Sequence, residues 1–272
     1  MQLQPDKGYL LEGRLNPVAQ SHGLGGLSNL VATLRRQPHG ALADEVVDAM
    51  TTNETSFFRD VTPFQALRRT LLPELFERNQ RTRRLSLWCA ACSTGQEPYS
   101  LAMLLHEMPE FRGWRIDILA TDLSDRVLAR ARTGLYSAFE CSRGLTQEMR
   151  DAHFEPVGQE WRLRRHIREM VRFEALNLAQ PWPHSQLDLV LLRNVLIYLP
   201  TPIRREILLR TARSLAPTGV LMVGASENLF EVGNTFVRDT AQGATFYRLG
   251  PGTRPYATPA PARLRPGEGS ST

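Results

Sequence analysis

A chain of 272 residues, 42% hydrophobic and 22% charged, is long enough to bury a full core in one large or two smaller domains. Its net charge of +5 and pI near 9.5 come almost wholly from arginine, Lys7 being the only lysine; this favours acidic partners, or is simply a solvated arginine-biased surface, and no basic run is interleaved with stacking aromatics as nucleic-acid binding would want. Three cysteines in a chain whose N-terminus has no signal-peptide pattern argue against a disulfide framework, and the longest apolar stretch (187–199) is broken by Asp188, Arg193 and Asn194, so the expectation is a cytoplasmic protein without membrane insertion.

The first 80 residues read as helical. Leu27, Leu30, Val31 and Leu34 share one helix face, Leu42, Val46, Val47 and Met50 another, and a further helix over 63–76 is interrupted near Pro73. Arg78 to Arg84 is an arginine-rich connector. Beyond it strands alternate with helices, the pattern of a mainly parallel sheet. Strands are expected at 85–89, 115–120, 170–174, 187–192 and 220–224, and helices at 98–108, 125–133 and 202–214. Thr201 is the expected N-cap of that last helix, and Pro217 with Gly219 its end. Two closing strands, 235–238 and 244–249, flank the turn at 241–243, and alternating apolar residues between Phe154 and Phe173 suggest a small β insertion. The domains are thus residues 1–80, helical; 81–249, a sheet domain with a β subdomain at about 152–175; and 250–272, a Pro/Gly/Ser-rich disordered tail.

The segment Leu85-Ser-Leu-Trp-Cys-Ala-Ala-Cys-Ser-Thr-Gly-Gln-Glu-Pro-Tyr-Ser100 is a buried strand, a turn of small residues, then a helix. Small residues at the carboxyl end of a first parallel strand let a ligand approach the backbone, which is where open α/β sheets hold cofactors. Cys89 and Cys92 also have redox spacing, but Ser93-Thr94-Gly95 separates them from the helix and no second Cys/His pair offers a metal set, so packing is favoured and no metal is expected. With Gly95 its one glycine, the turn lacks a dinucleotide fingerprint. Asp122, at the tip of the second strand, suits a ribose diol or, alternatively, a helix cap for which Ser124 competes. Thr51 to Asp60 taken alone is a helix start with Phe57 and Phe58 buried, and 187–192 runs directly into Arg193 and Asn194.

In order, Asn53-Glu-Thr55-Ser-Phe-Phe-Arg59, Ser93-Thr-Gly-Gln-Glu97-Pro-Tyr-Ser, Ala120-Thr-Asp122-Leu-Ser, Asn177-Leu178 and Arg193-Asn194-Val-Leu-Ile-Tyr198 closely resemble the CheR-type chemoreceptor protein-glutamate O-methyltransferases, over nearly the whole chain. The resemblance implies a Rossmann-like S-adenosylmethionine-dependent methyltransferase sheet with a small β insertion, preceded by an all-helical domain. It implies methyl transfer to glutamate side chains of chemoreceptors, with S-adenosylhomocysteine as product. Arg59, Asn53 and Thr55 would hold the methionine end of the cofactor, Glu97 would lie near its amino group, and Asp122 would take the ribose hydroxyls. Asn177, Leu178, Arg193 and Asn194 would complete the walls, and Tyr198 would stand by the methyl group; Arg78 would guide the carboxylate. The implied partner is the acidic helical coiled coil of a receptor cytoplasmic domain, met by Arg35, Arg36, Arg68 and Arg69, with no nucleic acid and with a regulatory adaptor left open. Two departures are Cys-Ala-Ala-Cys in the first turn and Gln96 where an acidic residue is frequent. The 154–173 stretch is short beside family members whose β subdomain grips a receptor tail peptide, so the resemblance implies recognition that needs no such tail. The competing readings are a same-fold enzyme for another substrate and a cofactor-binding signalling scaffold.

Overall fold

Leu187-Asp-Leu-Val-Leu-Leu192 is apolar on both faces, which suits a strand covered on both sides. The computed structural model, which describes residues 8–51 and 53–253, places it at the centre of a sheet. Among the described residues this sheet contains β1 (Arg84–Ala90), β2 (Arg115–Asp122), β6 (Val171–Ala175), β7 (Leu187–Leu192), β8 (Leu215–Val223), β9 (Phe236–Ala241) and β10 (Ala244–Leu249), in the order β6-β2-β1-β7-β8-β10-β9. The first five run parallel and the last two are antiparallel. Chain order reverses between β1 and β7, and the crevice outside their carboxyl ends is where such sheets bind ligands.

The helices follow local chemistry. Ser124 caps α7 (Asp125–Thr133) by accepting the Val127 N–H at 3.2 Å, and Gly134 ends it in a left-handed conformation. α6 (Gln96–Glu107) starts earlier than expected, because Gly95 at φ 94 turns the chain directly into it. Pro73 removes one backbone donor, and the helix around it is α4 (Thr62–Ala66), a π turn (Leu67–Leu71) and α5 (Leu72–Asn79), an unbroken but loosened rod. α11 (Thr201–Ser214) has Pro200, not Thr201, in the cap position and stops at Ser214. Pro217 and Gly219 therefore lie within β8, where Leu187 pairs with Leu215 but Leu189 with Val220; that bulge accommodates a residue without an N–H.

The N-terminal helices divide between two cores. α1 (Gly8–Ser21), α2 (Leu27–Arg36) and α3 (Ala41–Met50) close on Leu15, Ala19 and Leu30. Phe64, Leu67, Leu71, Leu72 and Leu75 of α4, the π turn and α5 join the main core with Leu87, Leu101 and Met103. Val31, expected on the buried face of α2, is 44% exposed.

A second sheet consists of β3 (Leu135–Ser137), β4 (Phe154–Val157) and β5 (Glu160–Leu163), the last two forming a hairpin around Gly158. Its third strand therefore precedes the 152–175 stretch, and β6 within that stretch is an edge of the main sheet. Around it lie α8 (Ala138–Ser142), α9 (Gln147–His153) and α10 (Arg165–Arg168). His106 lies tilted 4.6 Å from His166 and edge-on 6.1 Å from His153, which is buried and bonded to Glu107. Gly144, at φ 102, lets this region meet the 57–60 turn: a Cβ there would lie 1.8 Å from the Phe57 carbonyl oxygen. Gly144→Ala is expected to cost about 3 kcal/mol, read as a fall in thermal melting temperature. Residues 254–272 of the expected tail lie outside the described residues, among which no helix is long and apolar enough to cross a membrane.

Candidate active site

The small-residue turn after β1 is tied down rather than loose. Ala91, Ser93 and Gly95 take positive φ, the Cys92 N–H donates to Thr121 O at 2.9 Å, and the Ser93 N–H donates to Asp122 Oδ2 at 2.8 Å. Asp122 Oδ1 accepts the Ser124 N–H at 3.1 Å, while Ser124 itself caps α7. Asp122 thus joins the turn after β1 to the turn after β2, and each carboxylate oxygen keeps lone-pair capacity beyond its backbone bond. Burial pushes its carboxyl up, against the N–H groups of Ser124, Ser93 and Leu123.

The opposite wall is built around Arg193. Its side chain is 1% exposed; Nη1 donates to Glu97 Oε2 at 2.8 Å, and Nη2 donates to Asp60 Oδ2 at 2.8 Å and to Arg59 O at 3.1 Å. Glu97 sits in the first turn of α6, near unpaired backbone donors; burial pushes its carboxyl up, with Arg193 and Arg59 acting in the opposite direction. Residues 53–56 are an irregular segment leading into a turn, not a helix start. Phe57 is fully buried edge-on against Tyr136 and Phe154, and Phe58, Asp60 and Val61 take positive φ. The segment is held by the Ser93 hydroxyl donating to Asn53 O at 3.0 Å and the Phe58 N–H donating to Ser100 Oγ at 2.9 Å. Arg59 Nη1 donates to Glu54 O at 2.9 Å.

These walls enclose a cavity of about 320 Å³. Asn53, Thr55, Arg59, Glu97, Asp122, Asn177, Leu178, Arg193, Asn194 and Tyr198 all line it, from segments spread over most of the chain. Val47, Met50, Leu123, Leu199 and Ile203 line it too and were missed: the apolar face of α3 reads like any packing face, yet two of its residues cover a cavity. Arg126 Nε, 3.2 Å from Asp48 Oδ2, links α7 to α3. Gln96 is buried and accepts the Thr94 hydroxyl at 2.8 Å, so Glu97 is the carboxylate that reaches the cavity. Arg78 is elsewhere: it donates to Thr218 O at 2.8 Å, at the amino ends of the strands, and guides nothing in this crevice. Cys89 and Cys92 are free and buried; burial pushes both thiols well up, so neither is a ready thiolate and they are packing residues of the turn.

An acceptor-only carboxylate at the tip of β2, a second carboxylate beside an arginine, and small residues between them suit a cofactor that carries both a ribose diol and a cationic centre. With the switch-point sheet, this places the chain in the class of Rossmann-like proteins that suit a nucleoside-containing cofactor. Residues 53–243 match the family model described as CheR methyltransferase, SAM binding domain. The chain is 42% identical over 233 residues to chemotaxis protein methyltransferase Cher2 of Pseudomonas putida, covering 84% of each. Chemotaxis protein methyltransferase 1 of Vibrio cholerae is 36% identical over 252 residues, covering 91% of this chain and 90% of the relative. The chain belongs to the CheR methyltransferase family, and S-adenosylmethionine is its cofactor.

Proposed function

We propose that this protein transfers methyl groups from S-adenosylmethionine to glutamate side chains of chemoreceptor cytoplasmic domains, forming methyl esters in bacterial chemotaxis. The observation that carries this reading is the convergence of motif residues, from Asn53 to Tyr198, on one cavity at the switch point. When bound, the cofactor supplies a methyl group activated by a sulfonium. Arg59, with Asn53 and Thr55, pairs with its carboxylate, Glu97 faces its ammonium, and Asp122 accepts its ribose hydroxyls. Asn177, Leu178 and Asn194 wall the adenosine and methionine parts, while Arg193 holds Glu97 and the 59–60 turn in place. Tyr198 stands at the methyl end and orients the incoming carboxylate.

No general base is needed. A glutamate side chain, with an ordinary pKa near 4.3, is already anionic at neutral pH. The chain's task is to align the groups and exclude water, which Val47, Met50, Leu199 and Ile203 do at the rim. Names of the curated relatives support the chemotaxis setting. The acidic helices of a receptor suit the exposed Arg35 and Arg36 at the end of α2 and Arg69 on the π turn, whereas Arg68 is paired with Glu107 at 2.8 Å.

The test is transfer of tritiated methyl from the cofactor to purified receptor cytoplasmic domains, followed by mild alkali. Release of volatile methanol, lost when the acceptor glutamates are changed to alanine, is the expected outcome; alkali-stable label counts against a carboxyl ester.

The site also has a pH signature. Burial holds Glu97 above its ordinary 4.5, and an ammonium beside it draws it back down. Cofactor binding therefore releases protons, and affinity rises as pH climbs through the elevated pKa of free-enzyme Glu97. Calorimetry of the wild type and Glu97→Gln between about pH 5 and 7 checks this: the slope is expected in the wild type and lost in the variant, and equal slopes contradict it.

A further inference from the structure

Asn194 and Tyr198 lie on a segment with little regular structure of its own. β7 stops at Leu192, Asn194 is left-handed at φ 58, and a single 3₁₀ turn (Leu196–Tyr198) follows. The backbone donors of that segment converge on one carboxylate. Glu227 Oε2 accepts the N–H of Asn194 at 2.8 Å and of Gly224 at 2.6 Å; Oε1 accepts Leu196 N–H at 2.7 Å and Ile197 N–H at 3.3 Å. Glu227 is 9% exposed, and its own N–H closes a turn onto the Gly224 carbonyl at 2.9 Å. The carboxylate therefore ties the end of β8 to the segment after β7. It stands behind the cofactor cavity, on the side of a neighbouring open hollow of about 880 Å³. The tie is close-fitting: a Cβ on Gly224 would lie 2.7 Å from Asn194 Nδ2 and 2.8 Å from Glu227 Oε2.

We propose that Glu227 is a positioning residue for methyl transfer, fixing Asn194 through its own N–H and Tyr198 through the Leu196 and Ile197 N–H groups of the turn that carries it, without touching cofactor or substrate. The inference goes beyond the assigned site and rests on Tyr198 standing at the methyl end. The chemistry asks for a carboxylate. All of its partners are donors and both oxygens are used, so an amide would turn an NH₂ towards backbone N–H groups whichever way it flips. Aspartate is one methylene short of the same span. The tie shares no hydrogen bond with the Glu97–Arg193–Asp60 pairing that supports the other wall, although the Glu227 charge helps to push the Glu97 carboxyl up.

Full-length Glu227→Gln and Gly224→Ala test it, with Leu163→Ala, a buried change in the small sheet, as a control for general destabilisation. Both test variants are expected to lower kcat at least about 10-fold and to raise KM for the cofactor, through Asn194, by a smaller factor. Amide exchange of Asn194, Leu196 and Ile197 should accelerate in both, more than in the control. Wild-type kcat in either variant, or a loss no larger than that of the control at equal melting temperature, overturns the proposal. Should the wild type esterify no receptor glutamate, the functional reading fails. Amide exchange then decides the tie by itself: acceleration at Asn194, Leu196 and Ile197 upholds it, and unchanged exchange overturns it.

Discussion

Arg193→Ala is expected to destabilise the free protein by about 3–5 kcal/mol, because it removes one partner of a buried ion pair and leaves the other without compensation. The Arg193 side chain is 1% exposed and that of Glu97 13%, so little water is available to replace the lost guanidinium. For a chain of this size the loss corresponds to a fall in melting temperature on the order of 10 °C. Asp60 provides the contrast: Asp60→Ala should cost about 1 kcal/mol, since its own side chain is 43% exposed and Arg193 keeps Glu97 as counter-ion and the Arg59 carbonyl as acceptor. The deficit of Arg193→Ala also has a defined pH dependence. Without the guanidinium, the folded-state pKa of Glu97 rises further above the unfolded value, so the folded state binds the extra proton. That contribution is fully present below the ordinary glutamate range and is lost as pH rises through the folded pKa. Melting temperatures of variant and wild type should therefore converge as pH falls towards about 5 and diverge towards neutrality. A parallel offset at all pH values contradicts the assignment of Glu97 as the stranded charge.

Asp122→Ala is expected to weaken cofactor binding about 100-fold or more, the loss of two hydrogen bonds from ribose hydroxyls to a charged acceptor at roughly 1.5–3 kcal/mol each. Because Asp122 also accepts the Ser93 and Ser124 N–H groups, the same change loosens the turn after β1 in the free protein. The two effects separate experimentally: melting without ligand reports the turn, and calorimetry with S-adenosylhomocysteine reports the diol. Asp122→Asn keeps the shape and one acceptor oxygen, and should fall between wild type and alanine. Arg59→Ala, which removes the partner of the cofactor carboxylate, should weaken binding by a similar factor while leaving melting nearly unchanged, since in the free protein its bond goes to the Glu54 carbonyl near the surface. Unchanged affinity in both alanine variants would remove the basis for the site.

The sheet was largely legible in the sequence because its strands are covered on both faces. A run such as 187–192, apolar but for Asp188, suits a strand covered on both faces, and Ser124 marks the start of α7. Where local signals competed, packing decided. Pro217 and Gly219 read as a helix end but sit in a bulge of β8, and the three residues of β3 are too few to show a period. The ten motif residues were legible as short strings whose chemistry made sense only jointly. Glu227 was not, because its role lies wholly in backbone hydrogen bonds, which leave no pattern of side-chain types nearby. Val47 and Met50 were hidden for a different reason: a helical face specifies that it is covered, and not by what.

The most direct measurement is a crystal structure with S-adenosylhomocysteine. The ligand's ribose should lie on Asp122, its methionine carboxylate on Arg59 and its sulfur beside Tyr198, filling the cavity between the turn after β1 and the segment after β7. A ligand bound outside this cavity, or one entering it with its ribose away from Asp122, would contradict the account.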